Sequence, residues 1–275
     1  MICWGMPYLL EMHSIEECAS LCQELGLSFV ELNANFPDCQ LHRLKNCDLS
    51  LLKEKYDICF TLHLEEECDP FSFNPEVRRA WLETVRKSLE YAVQQQMPIV
   101  NMHLPHGVYI TLPDRKTYLY EQYEQEYHQA LSDFRELCEE KLTNTGTRLA
   151  IENTDGWKQH ELRAIEYLLR SPVIGLTLDI GHSHGVNDVD EPFFRHYEEC
   201  LIHMHGHDAL GRKNHLALGA GEINLAARFA WAASRGARIV LETKTIAALR
   251  TSVSRLPEIL AKNAKNLSKP LAISE

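Results

Sequence analysis

Eight short runs rich in β-branched, aromatic and aliphatic residues recur along the chain, each followed by a longer stretch of mixed polar and apolar residues. The runs span residues 2–5, 29–32, 58–63, 99–103, 148–152, 175–179, 200–205 and 238–242. Helical periodicity is clearest over 14–25, 75–96, 118–142, 161–169, 225–233 and 246–262. Such alternation predicts βαβ units, with parallel strands covered by the helices between them. The polar residues closing the last seven runs fall near 31, 63, 103, 152, 179, 205 and 242, at gaps of 32, 40, 49, 27, 26 and 37 residues. One βαβ repeat takes roughly 30 residues or more.

No Pro-, Gly- or Ser-rich linker breaks this rhythm, so 1–275 reads as a single domain. An open doubly wound sheet would be expected to carry GxGxxG after its first strand or a phosphate-binding P-loop, and neither is present. Eight repeats in about 250 residues fit a closed barrel. The expected fold is therefore α/β, a (β/α)8 TIM barrel. Its two longest connections, 104–117 and 206–222, lie at the carboxyl ends of strands, where such barrels place their chemistry.

Composition excludes several classes. Lys and Arg number 28 against 39 Asp and Glu, a net charge of −11, which disfavours a phosphate-coating surface for nucleic acid. No apolar run approaches the roughly 20 residues that cross a bilayer. The first residues lack the basic flank and apolar stretch of a signal peptide. Nine cysteines form no CxxC pair and are expected as buried thiols in a reducing cytoplasm rather than as disulfides or a zinc–thiolate cluster. A homo-oligomer is compatible with the sequence.

The chemistry concentrates at the strand ends. Nine of the 14 histidines fall there or just beyond: His63, His103, His106, His182, His184, His203, His205, His207 and His215. Glu31, Glu152, Asp179, Asp208 and Glu242 share those positions. Barrel closure would gather them around one mouth, and imidazoles with carboxylates are a ligand set for a divalent ion. Glu152, Asp179, His205 and Glu242 are the core candidates, with His63 and His103 as further ligands. Glu152 and Glu242 each end an apolar strand, where a lone buried carboxylate costs several kcal/mol and needs a metal, a cation or a proton. His106, His184 and His207 are expected to support ligands or face solvent. His13, His42, His128, His160 and His196 are expected at the surface. Glu31 reads either as a substrate contact or as a partner for a cation lining the barrel. Arg212, Lys213 and Lys244, just past the last two strands, suit an anionic group on a substrate.

Taken together, "IEN" at Glu152, "LDIGH" at Asp179 and His182, "HMHGHD" at His205 and Asp208, the "HLALGAGEIN" loop and "LET" at Glu242 resemble the xylose isomerase-like TIM-barrel superfamily. That superfamily includes sugar-phosphate isomerases and epimerases and the endonuclease IV group, and the resemblance spans nearly the whole chain. Its isomerase branch implies one manganese, zinc or magnesium ion on Glu152, Asp179, His205 and Glu242. It further implies proton transfer by Glu152 and Glu242 through a metal-stabilised enediolate, with His182 on a substrate hydroxyl. The endonuclease IV branch implies more ions, with His63 and His103 as added ligands and Glu152 bridging, and with His182 and His215 near a third. Lys213 stands where that branch carries an Asp ligand, and a protonated ammonium has no lone pair to offer.

Three functions follow as expectations. The first is a metal-dependent sugar or sugar-phosphate isomerase or epimerase. The second is a two-metal hydrolase of a small phosphodiester, needing two or more ions. The third is a barrel that binds a ligand without catalysis. In each case the partner is a small sugar or anionic molecule rather than nucleic acid or a membrane.

Overall fold

A computed structural model describes residues 2–267. Eight strands close into a parallel barrel: β1 (Trp4–Pro7), β2 (Phe29–Asn33), β3 (Cys59–His63), β4 (Ile99–His103), β5 (Arg148–Glu152), β6 (Ile174–Asp179), β7 (Leu201–Gly206) and β8 (Arg238–Leu241). Neighbours in sequence are neighbours in the barrel, and β1 pairs with β8 to shut it. The packing of β1 against β2 depends on a glycine, since a Cβ on Gly5 would lie 2.5 Å from the Phe29 ring. The apolar core lies around the barrel, where residues such as Phe60, Phe134 and Phe229 are fully buried between strands and helices. No helix among the described residues is long and apolar enough to cross a membrane.

The helices start where local chemistry predicts. Ser14 caps Ile15–Glu24 by accepting the Glu17 N–H, and Asn74 caps Pro75–Gln94 with proline at the first helical position. Some boundaries differ from the sequence reading. The first strand lies at Trp4–Pro7 because its register is set by pairing with Ile239 and Val240. The helix expected over 118–142 breaks at Tyr123 into Leu119–Gln122 and Glu124–Leu142. Leu41–Leu44, Leu49–Tyr56, Ile180–Gly185 and Glu191–His196 are helical although the periodicity did not show them, being too short to display a stripe. The two long connections both fold into antiparallel hairpins, Tyr109–Thr111 with Lys116–Tyr118 and Asp208–Leu210 with Lys213–Leu216. All nine cysteines are free thiols, five of them buried.

Candidate metal centre at the barrel mouth

Side chains in a strand alternate between faces, so residues two apart line the same face. Along the inside of the barrel this stacks Glu31 with Asn33, Thr61 with His63, Asn101 with His103, Thr177 with Asp179, and His203 with His205. The upper members form the mouth and the lower ones a polar layer beneath it. Thr177 Oγ1 donates to Asn101 Oδ1 at 2.6 Å, and Asn101 in turn donates to Glu152 Oε2. Thr61 Oγ1 donates to Glu31 Oε2 at 3.2 Å.

His205 sits at the centre. Its Nδ1 lies 3.0 Å from Glu152 Oε1, 3.3 Å from Glu242 Oε2 and 3.9 Å from Asp179 Oδ2. Its Nε2 is 2.8 Å from Glu31 Oε1, and the other oxygen of Glu31 is 2.9 Å from His203 Nε2. Glu31 is thus buried one layer below the mouth, against two imidazoles. His63 and His103 bring their Nε2 atoms to 3.3 and 3.5 Å from Glu152 Oε2.

On the other flank, Asp179 caps the helix Ile180–Gly185 by accepting the His182 N–H at 2.6 Å, and His182 Nδ1 lies 3.8 Å from its Oδ2. His215 Nδ1 is 3.7 Å from Glu242 Oε2. Lys244 Nζ is 2.7 Å from Glu242 Oε1, so this ammonium is turned onto the cluster. Arg212 and Lys213 are exposed at the tip of the second hairpin.

The electrostatics follow from crowding four carboxylates and several imidazoles out of water. Burial alone would push Glu152 up, but His205 and His103 outweigh it and hold its carboxyl well below the usual range. Burial is likewise overcome at Glu242 by His205 and Lys244, and at Asp179 by His207 and His182, so both carboxyls are lowered. Burial opposes a charge on His205, yet Glu152, Glu31 and Glu242 raise its pKa well above that of a free imidazole. His215 goes the other way: burial lowers it to about 4 against the pull of Glu242, leaving a neutral ring.

Four groups of these side chains bring ligand atoms within 4.8 Å of one another: Glu152–Asp179–His205, His63–His103–Glu152, His207–His215–Glu242 and Glu31–His203–His205. Both ring nitrogens of His205, Nδ1 of His182 and Oε2 of Glu242 are buried, and their carboxylate or imidazole contacts at 2.8–3.8 Å lack good hydrogen-bond geometry. Buried donors and acceptors without a well-aligned hydrogen bond are costly, and a cation among carboxylates and imidazoles would satisfy them. The donor set therefore fits a divalent ion.

Residues 12–264 match the sequence profile of the xylose isomerase-like TIM barrel. The chain belongs to that family. Solved structures of similar shape include a D-tagatose 3-epimerase-like protein, with TM-score 0.77 and 22% identity over 97% of this chain and 100% of the other. The 3-keto-D-glucoside 4-epimerase YcjR of E. coli superposes with TM-score 0.73 and 14% identity, covering 95% of this chain and all of its own. The IolI protein with a binding zinc atom gives TM-score 0.72 and 14% identity over 95% and 99% of the two chains.

Within this xylose isomerase-like barrel, several residues differ from their expected settings. His160, expected at the surface, is 3% exposed and stacks beside Tyr118, because the helix Gln159–Leu168 turns it inward under the first hairpin. His13, His42, His128 and His196 are exposed. His106 bonds Glu161 and Asp155, and His184 bonds Glu222. His207 is wholly buried, with Nε2 3.0 Å from Asp179 Oδ1.

Asp208, expected with the other strand-end carboxylates around the mouth, instead holds a loop together. Its two oxygens accept the backbone N–H groups of Ala209, Gly219, Gly221 and Ile223 at 2.8–3.1 Å, tying the start of the second hairpin to its end. A Cβ on Gly221 would meet the Ala209 carbonyl oxygen at 2.1 Å, so only glycine lets the loop close on that carboxylate. The polar layer of Thr61, Asn101, Thr177 and His203 was legible in principle. Each stands two residues before a mouth residue, the period-two signal of a shared face.

Proposed function

We propose that this barrel is a metal-dependent isomerase or epimerase of a sugar or sugar phosphate. The observation that carries the reading is the convergence of Glu152, Glu242 and Asp179 on His205 Nδ1, at 3.0, 3.3 and 3.9 Å. Family membership and the sugar epimerases among proteins of the same shape support it. Glu152, Asp179, His205 and Glu242 would hold the ion, which we expect to be manganese, zinc or magnesium; the zinc atom in a protein of the same fold supports the site's use for a metal. When bound, the ion supplies Lewis acidity for charge developing on the carbonyl and neighbouring hydroxyl oxygens of a sugar.

The chain's own residues do the rest. A general base must be ionised before it can accept a proton, and both Glu152 and Glu242 are held in that form. Glu152 has its oxygens engaged by His205, His63, His103 and Asn101, whereas the nearest contact of Glu242 Oε2 is His205 Nδ1 at 3.3 Å. Glu242 is therefore the freer base to remove the proton next to the carbonyl, and Glu152 serves the opposite face. His182, whose side chain is partly exposed and whose Nδ1 lies 3.8 Å from Asp179 Oδ2, is placed to hold a substrate hydroxyl. Lys213, Arg212 and Lys244 supply positive charge for an anionic substituent such as a phosphate.

One observation favours a second reading. The His63–His103–Glu152 group would suit a second ion with Glu152 bridging, as in a two-metal hydrolase of a small phosphodiester. Metal content per chain and solvent-deuterium exchange separate the two. One ion per chain with deuterium entering a sugar carbon supports the isomerase. Two ions, ester hydrolysis and no exchange across a ketose panel overturn it in favour of the hydrolase. Full turnover in Glu242→Gln would contradict both.

A further inference from the structure

His207 stands two residues beyond His205, its ring buried between β7 and the helix Ile180–Gly185. Two independent features hold it there. A Cβ built on Gly181 would lie 1.9 Å from Cε1 and 2.4 Å from Nδ1 of His207, so the ring occupies space that only a glycine leaves open. His215 adopts the left-handed region at φ 54°, a conformation that a non-glycine residue takes only at a cost in backbone strain. That turn points the His215 backbone N–H at His207 Nδ1, 2.8 Å away.

A ring nitrogen that accepts an N–H has its lone pair facing the donor and carries no hydrogen of its own. The ring proton of the neutral imidazole is then on Nε2, which lies 3.0 and 3.1 Å from the two oxygens of Asp179. Two other acceptors are near the ring, but neither competes. The Asp208 carbonyl oxygen is 3.4 Å from the bare Nδ1, and Glu242 Oε2 is 3.9 Å from Nε2. His207 belongs to a group compact enough to hold an ion with His215 and Glu242. Its one ring lone pair is already engaged, however, so it has none left for a metal.

We propose that His207 is a positioning residue, locked as the Nε2–H tautomer by the His215 backbone, and that it orients the Asp179 carboxylate toward the ion. Asp179 is held from two sides, by the His182 N–H on Oδ1 and by His207 across both oxygens. Such outer partners of metal ligands are typically worth 10–100-fold in metal affinity. The assignment rests on the metal-centre reading above.

Two variants separate positioning from space-filling. The amide of His207→Gln reaches the place of Nε2 and can still donate to Asp179, whereas that of His207→Asn reaches only the place of Nδ1. Zinc and manganese dissociation constants, measured by competition with a chromophoric chelator, should stay within about threefold in Gln and weaken at least about tenfold in Asn. Equal affinities in the two variants overturn the assignment alone. A wild-type protein that binds neither ion overturns the metal centre and this assignment with it. A readout independent of metal completes the test: long-range 15N–1H correlation in the metal-free protein labelled at histidine should show His207 with its proton on Nε2. A proton on Nδ1 overturns the proposal.

Discussion

Adding a divalent ion to the metal-free protein should expel protons, and the centre itself indicates how many. An ion bound by Glu152, Asp179, His205 and Glu242 needs the lone pair of His205 Nδ1, the atom that those carboxylates surround at 3.0–3.9 Å. The carboxylates raise the His205 pKa well above the ordinary imidazole value, so near neutrality the ring keeps its proton until an ion displaces it. Glu152 and Glu242 are held well below their usual range and have no proton to lose. About one proton should therefore leave per ion bound. Apparent affinity then weakens tenfold, about 1.4 kcal/mol, for each unit the pH falls below the His205 pKa.

The signs differ between the two states. In the metal-free protein the raised pKa of His205 contributes stability that is complete below the unfolded-state value and is lost as pH rises through the folded one. Stabilisation by the ion runs oppositely and grows with pH across that window, as RT ln(1 + [L]/Kd). Titration calorimetry in two buffers of different ionisation enthalpy measures the proton number, and melting curves with and without manganese or zinc measure the widening gap. Clear binding with identical heats in both buffers would refute the reasoning. So would a metal-induced shift in Tm that does not change with pH.

Two further outcomes are expected. Asp208→Ala removes the acceptor of four backbone N–H groups and should cost on the order of 3 kcal/mol, lowering Tm by roughly 6–12 °C. Limited proteolysis should then cut within 209–222, and an unchanged Tm and digest would show that the hairpin does not depend on that carboxylate. The double variant Lys213→Met/Lys244→Met should raise KM for a phosphorylated sugar by at least about tenfold more than for a neutral one; equal effects on the two remove the anionic-substrate reading.

Most of the architecture was legible because it is written locally. The alternation of apolar strands with amphipathic helices is a short-range signal, and eight such repeats close only in a few ways. Candidate ligands were legible for a related reason: Glu152, Asp179, His205 and Glu242 interrupt or end apolar runs, where a charge has no use unless something compensates it. Short helices such as Leu41–Leu44 were hidden because one turn shows no period. The inward turn of His160 depends on a hairpin more than 40 residues earlier in the chain and left no local trace.

By itself, the order of residues determined that this chain alternates strand and helix eight times and that imidazoles and carboxylates crowd the strand ends. Tertiary structure alone decided how they pair. That Glu31 lies beneath His205, that Lys244 turns onto Glu242, and that His207 faces Asp179 rather than solvent all follow from register around the closed barrel. Period two sets which face a side chain takes, but the atom it meets there comes from a strand tens or hundreds of residues away, placed by closure rather than by its own neighbours.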